Sequence, residues 1–504
     1  MSGIICGIET NKRIRDMLNR IKVKNFKSIK SLDYKCAQLN LLVGVNGAGK
    51  SSFVQLLLFL RAISGKGLNN AVIRAKEIGF AGNFADLKYC YAKDSENVEI
   101  GIDFKIREVM RETDDGAFEH SINWFKYFYA TNEGMSDALE TNRYVSFVLC
   151  PCKGNSIQVM HPIFLEKVLN SQVCRDFMDF INKHGDVSAI DARYRRYVSE
   201  GVGSSDIISI SDEVHRKKDA CTALYREVEK EIKADLADKA ALLDEIWRNT
   251  KMVDAFRIKP GEVHDATDVD EYDAAKFDPE GNDAVEYLYK FGNSYKLRPG
   301  NPMRHRSSVS PEESCLIDEV DAWLGEVSPG ARINIESVSV GDSEKYVESV
   351  SFGDGGLKRT FKPQNVGFGI SYILPVLVTL LTAQPEDIII IENPEAHLHP
   401  RGQSEMGRLL ACAAARGVQL FVETHSDHVI NGVRVAIKEG EIFSDDAKIA
   451  FFERGKHETP SDDGKVSTEV YASERDILID ENGALSEYPT DFLDEWNNQL
   501  MELL

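Results

Sequence analysis

A chain of 504 residues can bury one large core or two to three domains, and 43% hydrophobic content is ordinary for a globular protein. A formal net charge of −21 argues against broad nonspecific adhesion to nucleic acid, although a local basic patch could still hold a phosphate backbone. The longest apolar run, 370–383, is broken by Pro375 and falls short of the ~20 residues of a spanning helix. No basic region precedes the first apolar residues, so no secretory signal is expected and a cytoplasmic protein is. Nine scattered cysteines do not read as a disulfide framework, and Cys150-Pro151-Cys152 is too tight and solitary for a four-ligand zinc site.

Residues 11–30 are the most basic segment: Lys12, Arg13, Arg15, Arg20, Lys22, Lys24, Lys27 and Lys30 stand against one acid, Asp16. Ile21, Val23, Phe26 and Ile29 alternate as in an edge strand followed by a turn. A solvated strand face is the plainer reading of these charges, and a nucleic-acid contact the other. An apolar strand at 39–43 then runs into Gly44-Val45-Asn46-Gly47-Ala48-Gly49-Lys50-Ser51-Ser52, which opens an apolar helix carrying Phe53, Leu56, Leu57 and Leu60. This is a phosphate cradle. Gly44, Gly47 and Gly49 let the backbone curl so that successive N–H groups, through Asn46 and Ala48, face an anion at a helix N-terminus. Lys50 is expected to reach the β- and γ-phosphates, and the Ser51 hydroxyl, with Ser52 behind it, to bind the magnesium of ATP.

A connecting loop at 79–87 and a strand at 98–106 complete a first ATP-binding half, 1–106. The composition then changes, and 107–330 reads as a mixed, mostly helical insertion with possible partner or DNA contacts. Within it, 212–248 forms one or two helices, with Leu224, Val228, Ile232, Leu236, Leu243 and Trp247 at roughly helical spacing but without sustained heptads. An acidic loop follows at 259–279, then a second small basic cluster, Tyr295 to Arg298 and Arg304 to Arg306. A helix is expected at 315–324 and a hairpin from 333–340 and 346–352.

The second half, 331–440, returns to chemistry. Gly367, Gly369 and Ser371 stand at the entrance of an apolar helix, a weak anion-site signal that a core helix explains equally well. Asp387 to Glu392 is a continuous apolar run ending in a carboxylate, the pattern of a buried parallel strand that delivers an acid to the magnesium shell beside the phosphate loop. Glu395 is a second carboxylate, able to act as general base on a water attacking the γ-phosphate. Leu420 to Ser426 repeats the pattern, and His425 could bond the γ-phosphate or the water. The same Glu392, Glu395, His397, His399, His425 and His428 are also the ligand types of a metal-dependent phosphoesterase, a reading that leaves the phosphate loop unexplained.

In this order, the phosphate loop, the insertion, the glycine-rich helix entrance, ENPEAHLHP and ETHSDH resemble ABC-type ATPases of the SMC and RecF kind, specifically the bacterial OLD-like AAA ATPases. The closing stretches 477–485 and 488–495 are similar to DUF3696, a C-terminal region attached to one branch of them, here 441–504. The resemblance implies an α/β P-loop NTPase of the ABC/SMC-head type with a mixed β-sheet, using ATP and Mg2+. It implies Gly44, Gly49, Lys50 and Ser51 as Walker A, 365–371 as a signature-like segment, Glu392 as Walker B and His425 as the switch histidine. It also implies a head-to-tail dimer, or a higher even oligomer, with ATP between the two chains. Walker B ends in glutamate here instead of aspartate, and Asn393 occupies the position of the catalytic glutamate. Too few residues follow His425 for the nuclease domain of OLD enzymes, which points to a separately encoded effector such as a nuclease, in defence against phage or foreign DNA. An ATP-dependent DNA-end or repair clamp and an ATP-binding scaffold with little hydrolysis are the alternatives.

Overall fold

The computed structural model describes residues 17–63, 72–74, 87–92, 98–112, 118–121, 138–152, 156–160, 167–168, 171–185, 187–200, 206–248, 250–255, 257, 263–265, 284–298, 301–307, 313–340, 343–352, 359–361, 369–460, 466–490, 492, 499 and 501–503. Two sheets enclose the helix that leaves the phosphate loop. The first contains the strands Ala447–Pro460, Leu39–Gly44, Gln419–Glu423, Ile388–Glu392 and Lys251–Val253 side by side and all parallel, with Val466–Leu478 antiparallel at one end. The inner strands of this sheet are covered on both faces and buried along their length, as the unbroken apolar run Ile388 to Ile391 illustrates. Chain order along this sheet reverses at the phosphate-loop strand, where open α/β sheets place their ligand crevice.

Side chains alternate across the sheet and so feed two cores. Leu41, Val43, Ile389, Ile391, Leu420 and Val422 face the helices Gly369–Thr382, Pro400–Arg416 and Asp427–Lys438. Leu42, Ile388, Ile390 and Phe421 face the helix Lys50–Ile63, whose Phe53, Leu57 and Leu60 are packed from the other side by a second, antiparallel sheet. That sheet runs Ile29–Lys35, Met17–Phe26, Val98–Glu112, Ala138–Cys152, Ser156–Met160 and Val72–Arg74, with Phe118–Ser121 beside Val98–Glu112.

The strand expected at an edge, Met17–Phe26, is internal, bonded to Ile29–Lys35 on one side and Val98–Glu112 on the other. Its basic face is matched by acids from both neighbours: Arg20 pairs with Asp33, and Lys24 with Glu99 at 3.2 Å. Lys30, in the next strand, pairs with Glu469 at 2.8 Å. The second basic cluster is likewise occupied within the fold. Arg304 lies 3.7 Å from the buried Glu319, and Arg306 reaches Glu326 and Glu405 at 3.3 and 3.4 Å.

The boundary drawn at 106 falls inside the strand Val98–Glu112, and the antiparallel sheet continues to Met160. The helical part of the intervening region is Gln172–His184, Val187–Glu200 and one continuous helix, Asp206–Arg248. Val228 and Trp247 of that long helix join the core around the phosphate-loop helix, and Ile207 and Val214 form a satellite cluster with Ile190. The acidic loop at 259–279 and the entrance 365–368 lie outside the described residues, apart from the short strand Val263–Asp265. The hairpin Ala331–Val340 and Ser343–Phe352 and the helix Leu316–Val327 form where the pattern places them. No described helix is long and apolar enough to cross a membrane, and six described cysteines are free thiols.

Candidate nucleotide site

The phosphate loop is shaped by what presses on it. Gly44, Gly47 and Gly49 all have φ in the left-handed region, at +137°, +73° and +116°. A Cβ on Gly44 would stand 2.1 Å from the Phe452 carbonyl oxygen, and one on Gly49 2.4 Å from the Ala472 side chain. The strands that crowd the loop therefore come from the C-terminal region, which pairs in parallel register with the loop strand from Ala447–Leu39 to Phe452–Gly44. Arg454, two residues on, donates to the Asn46 and Gly47 carbonyls at 2.9 and 3.3 Å. From the other sheet, the Ser28 and Ser52 hydroxyls share a 2.8 Å hydrogen bond. Ala48, at the loop's turn, is buried.

Lys50 is only 3% exposed. Its ammonium donates to the Gly44 and Val45 carbonyls at 2.7 and 3.2 Å, and Glu423 Oε1 lies 3.8 Å away. Burial lowers the Lys50 pKa, and the Glu423 charge works in the opposite sense. Ser51 Oγ donates to Glu423 Oε1 at 3.5 Å.

The strand ending in Glu392 was expected beside the phosphate-loop strand, but Gln419–Glu423 runs between them and places Glu423 opposite Glu392 in register. Burial first, then the charges of Glu423 and Asp254, push the Glu392 carboxyl up to about 7. Asn393 turns the chain with φ +47° and donates its N–H to the Glu423 carbonyl at 2.8 Å. Glu395 Oε1 accepts the His425 backbone N–H at 2.8 Å, and Glu395 Oε2 is buried without a hydrogen-bond partner. Burial raises the Glu395 pKa, opposed chiefly by that backbone hydrogen bond. The His425 ring is held below its ordinary pKa by burial and then by Lys50, so it is neutral at pH 7.

Arg257 ties this acidic turn to the glycine-led helix. It is 4% exposed and donates Nη1 to the Tyr372 carbonyl at 3.1 Å and Nη2 to the Glu392 carbonyl at 2.7 Å. Burial brings its pKa down to about 10, which leaves it charged at neutral pH. Gly369 meets the same turn from the other side, where a Cβ would lie 2.8 Å from the His397 carbonyl oxygen. Gly367 is outside the described residues, and of Ser371 only the helical backbone is described.

The structure thus brings Lys50, Ser51, Glu392, Glu395 and His425 to the ends of three neighbouring strands. Glu423, Arg257 and Arg454 are site residues that sequence reasoning missed. Glu423 carries the same signal as Glu392, an acid ending an apolar run. The histidines do not converge: His397 stacks edge-on against Tyr372, and among the described residues no three His, Cys, Asp or Glu side chains are placed to hold a metal by themselves. The arrangement suits magnesium held partly by a nucleotide, since hard oxygen donors from a hydroxyl and one or two carboxylates are its usual protein share. The loop itself fits a polyphosphate, because its glycines hold the left-handed φ values that let successive N–H groups face an anion at a helix N-terminus.

A family model described as AAA ATPase domain matches residues 17–298, more than half of the chain. The chain belongs to the AAA ATPase domain family. A second model, an AAA domain described by the AbiEii toxin of a type IV TA system, matches this AAA-family chain over 200–431, and DUF3696, a family of unknown function, matches 442–503. The DUF3696 match of the AAA chain therefore contains the strands that crowd the phosphate loop. Among solved structures, the Smc head domain with an extended coiled coil bound to the C-terminal domain of ScpA, from Pyrococcus furiosus, is 11% identical. It overlaps 97% of this chain and 99% of that one at a TM-score of 0.36. The SMC head domain from Thermotoga maritima is 10% identical over 90% of this chain and 98% of that one, at 0.31. Overlap at this level carries no functional argument. No curated protein matches the sequence.

Proposed function

We propose that this AAA-family chain binds MgATP at Gly44 to Ser52 and hydrolyses it, working as a nucleotide-gated dimer with a separately encoded effector such as a nuclease, in antiphage defence. The observation that carries the reading is the convergence of Lys50 and Ser51 on Glu423, which stands directly across from Glu392 at the end of the adjacent parallel strand. Magnesium bound with the nucleotide supplies charge neutralisation at the transferring phosphoryl group. The chain's own residues supply the rest. Lys50 binds phosphate, and Ser51 and Glu392 hold the cation. Glu395, raised by burial and with one open oxygen, takes a proton from water, and the neutral His425 ring orients it. Gly369 and the helix behind it form the face offered to a second copy's nucleotide.

The defence role is supported by the match to a domain described by the AbiEii toxin. The DNA-clamp alternative finds less support in the described parts of the two basic clusters, where Arg20, Lys24, Lys30, Arg304 and Arg306 each pair with an acid of the same chain. The scaffold alternative is favoured by Asn393, an amide where a catalytic carboxylate is expected.

The test is magnesium-dependent ATP turnover by the purified chain beside Lys50→Ala, Glu392→Gln and Glu395→Gln, with and without duplex DNA. Turnover lost in all three variants supports the ATPase reading. Wild-type turnover no faster than the variants, with ATP still bound, overturns hydrolysis in favour of an ATP-gated scaffold.

A further inference from the structure

The strand between the phosphate-loop strand and the Glu392 strand ends in an acid, Glu423, to which the reading above gives no chemical task. Glu423 is 7% exposed, and it contacts the two loop side chains that matter most: 3.8 Å to the Lys50 ammonium and 3.5 Å to the Ser51 hydroxyl. Its backbone carbonyl also holds Asn393, so its position is fixed from both ends. Glu392 stands directly across from it in the parallel register. One buried lysine thus faces the buried Glu423, with the half-buried Glu392 directly behind it, and like charges opposite each other in a sheet repel.

A triphosphate arriving without a cation must draw Lys50 from the Gly44 and Val45 carbonyls, compete with the charge of Glu423, and sit against both acids. Arriving with a divalent cation, it brings two positive charges to a place already lined by carboxylates. We propose that Glu423 makes nucleotide binding conditional on the divalent cation, by occupying Lys50 and Ser51 in the empty loop and by rejecting metal-free triphosphate. Glu423 is a positioning and specificity residue in this scheme, and the scheme rests on the reading of the loop as a MgATP site.

The experiment measures the dissociation constant for ATP twice, in magnesium and in EDTA, for wild type, Glu423→Gln and Glu423→Asp. The expected result is that Glu423→Gln binds metal-free ATP about tenfold or more tightly than wild type does, while MgATP affinity stays level or falls. The ratio of the two constants then shrinks, and Glu423→Asp, which keeps the charge, retains most of the wild-type ratio. Should Glu423→Gln fail to fold, Glu423→Thr removes the same charge with a residue suited to a strand. An unchanged ratio in a folded, ATP-binding neutral variant overturns the proposal and leaves the MgATP reading standing. A wild-type chain that binds ATP under neither condition overturns that reading, and the role of Glu423 falls with it.

Discussion

Two oxygens sit open at the turn after Glu392. Asn393 Oδ1 and Glu395 Oε2 are both buried and both without a hydrogen-bond partner, and oxygens left so are places where a water or ligand atom is accommodated. Asn393 also occupies the left-handed region, which asparagine tolerates better than glutamate does. If Glu395 is the base, Glu395→Gln should lose ~10²-fold or more of turnover and keep ATP binding. Adding Asn393→Glu to that variant should restore nothing, whereas recovery of turnover would assign the missing base to position 393. The placement of Lys50 and Glu392 at the strand ends was readable because each belongs to a motif whose spacing has a mechanical reason. Glu423 and Arg257 were not, because their meaning depends on which strands become neighbours. Nothing near Arg257 in the sequence indicates that it will bond the carbonyls of Tyr372 and Glu392, 115 and 135 residues away.

Among elements, the helices Pro400–Arg416 and Asp427–Lys438 approach so closely that glycine is required at the crossing. A Cβ on Gly432 would lie 2.0 Å from the Ser404 carbonyl oxygen, and one on Gly407 2.2 Å from that of Val429. Gly432→Ala should lower stability by about 1–3 kcal/mol, read as a lower denaturant midpoint. At the far edge of the parallel sheet, burial and a hydrogen bond to Asp476 push Glu474 up to about 8. An acid raised in this way binds its proton more tightly in the folded chain, so its contribution is fully present below the ordinary carboxylate range, about 4.5. That contribution is lost as pH rises towards about 8. Glu474→Gln mimics the protonated form; its melting temperature should match wild type near pH 5 and exceed it above about pH 8. A variant that melts below wild type at the higher pH would show instead that Lys448, 3.4 Å away, needs the charge. The strands Leu39–Gly44, Ile388–Glu392 and Gln419–Glu423 were legible from their apolar runs, whereas Lys251–Val253 is too short and Ala447–Pro460 too polar over its second half to stand out. The inner position of Met17–Phe26 was not legible, because a strand paired on both sides still alternates when one face meets solvent.

At the scale of the molecule, the sequence suggested an appended C-terminal region, and the fold makes it part of the nucleotide sheet. The strand Ala447–Pro460 pairs with the phosphate-loop strand over six residues of register, so the loop has no complete wall without it. This was hidden because a parallel partner some 400 residues distant leaves no local trace. For the dimer, Glu395→Gln with MgATP should double in mass by light scattering, while Lys50→Ala should remain at the mass of the nucleotide-free chain. A Glu395→Gln chain that binds MgATP and stays single would remove the sandwich from the scheme.

The long helix Asp206–Arg248 touches the core at Val228 and again at Trp247. Those anchors lie 19 residues apart along a rod, roughly 28 Å at 1.5 Å per residue. A rod held at two such points resists tilting. In mechanical terms the helix is a mast: its foot is set in the core around the phosphate-loop helix, and its tip carries the small helical cap formed with Gln172–His184 and Val187–Glu200.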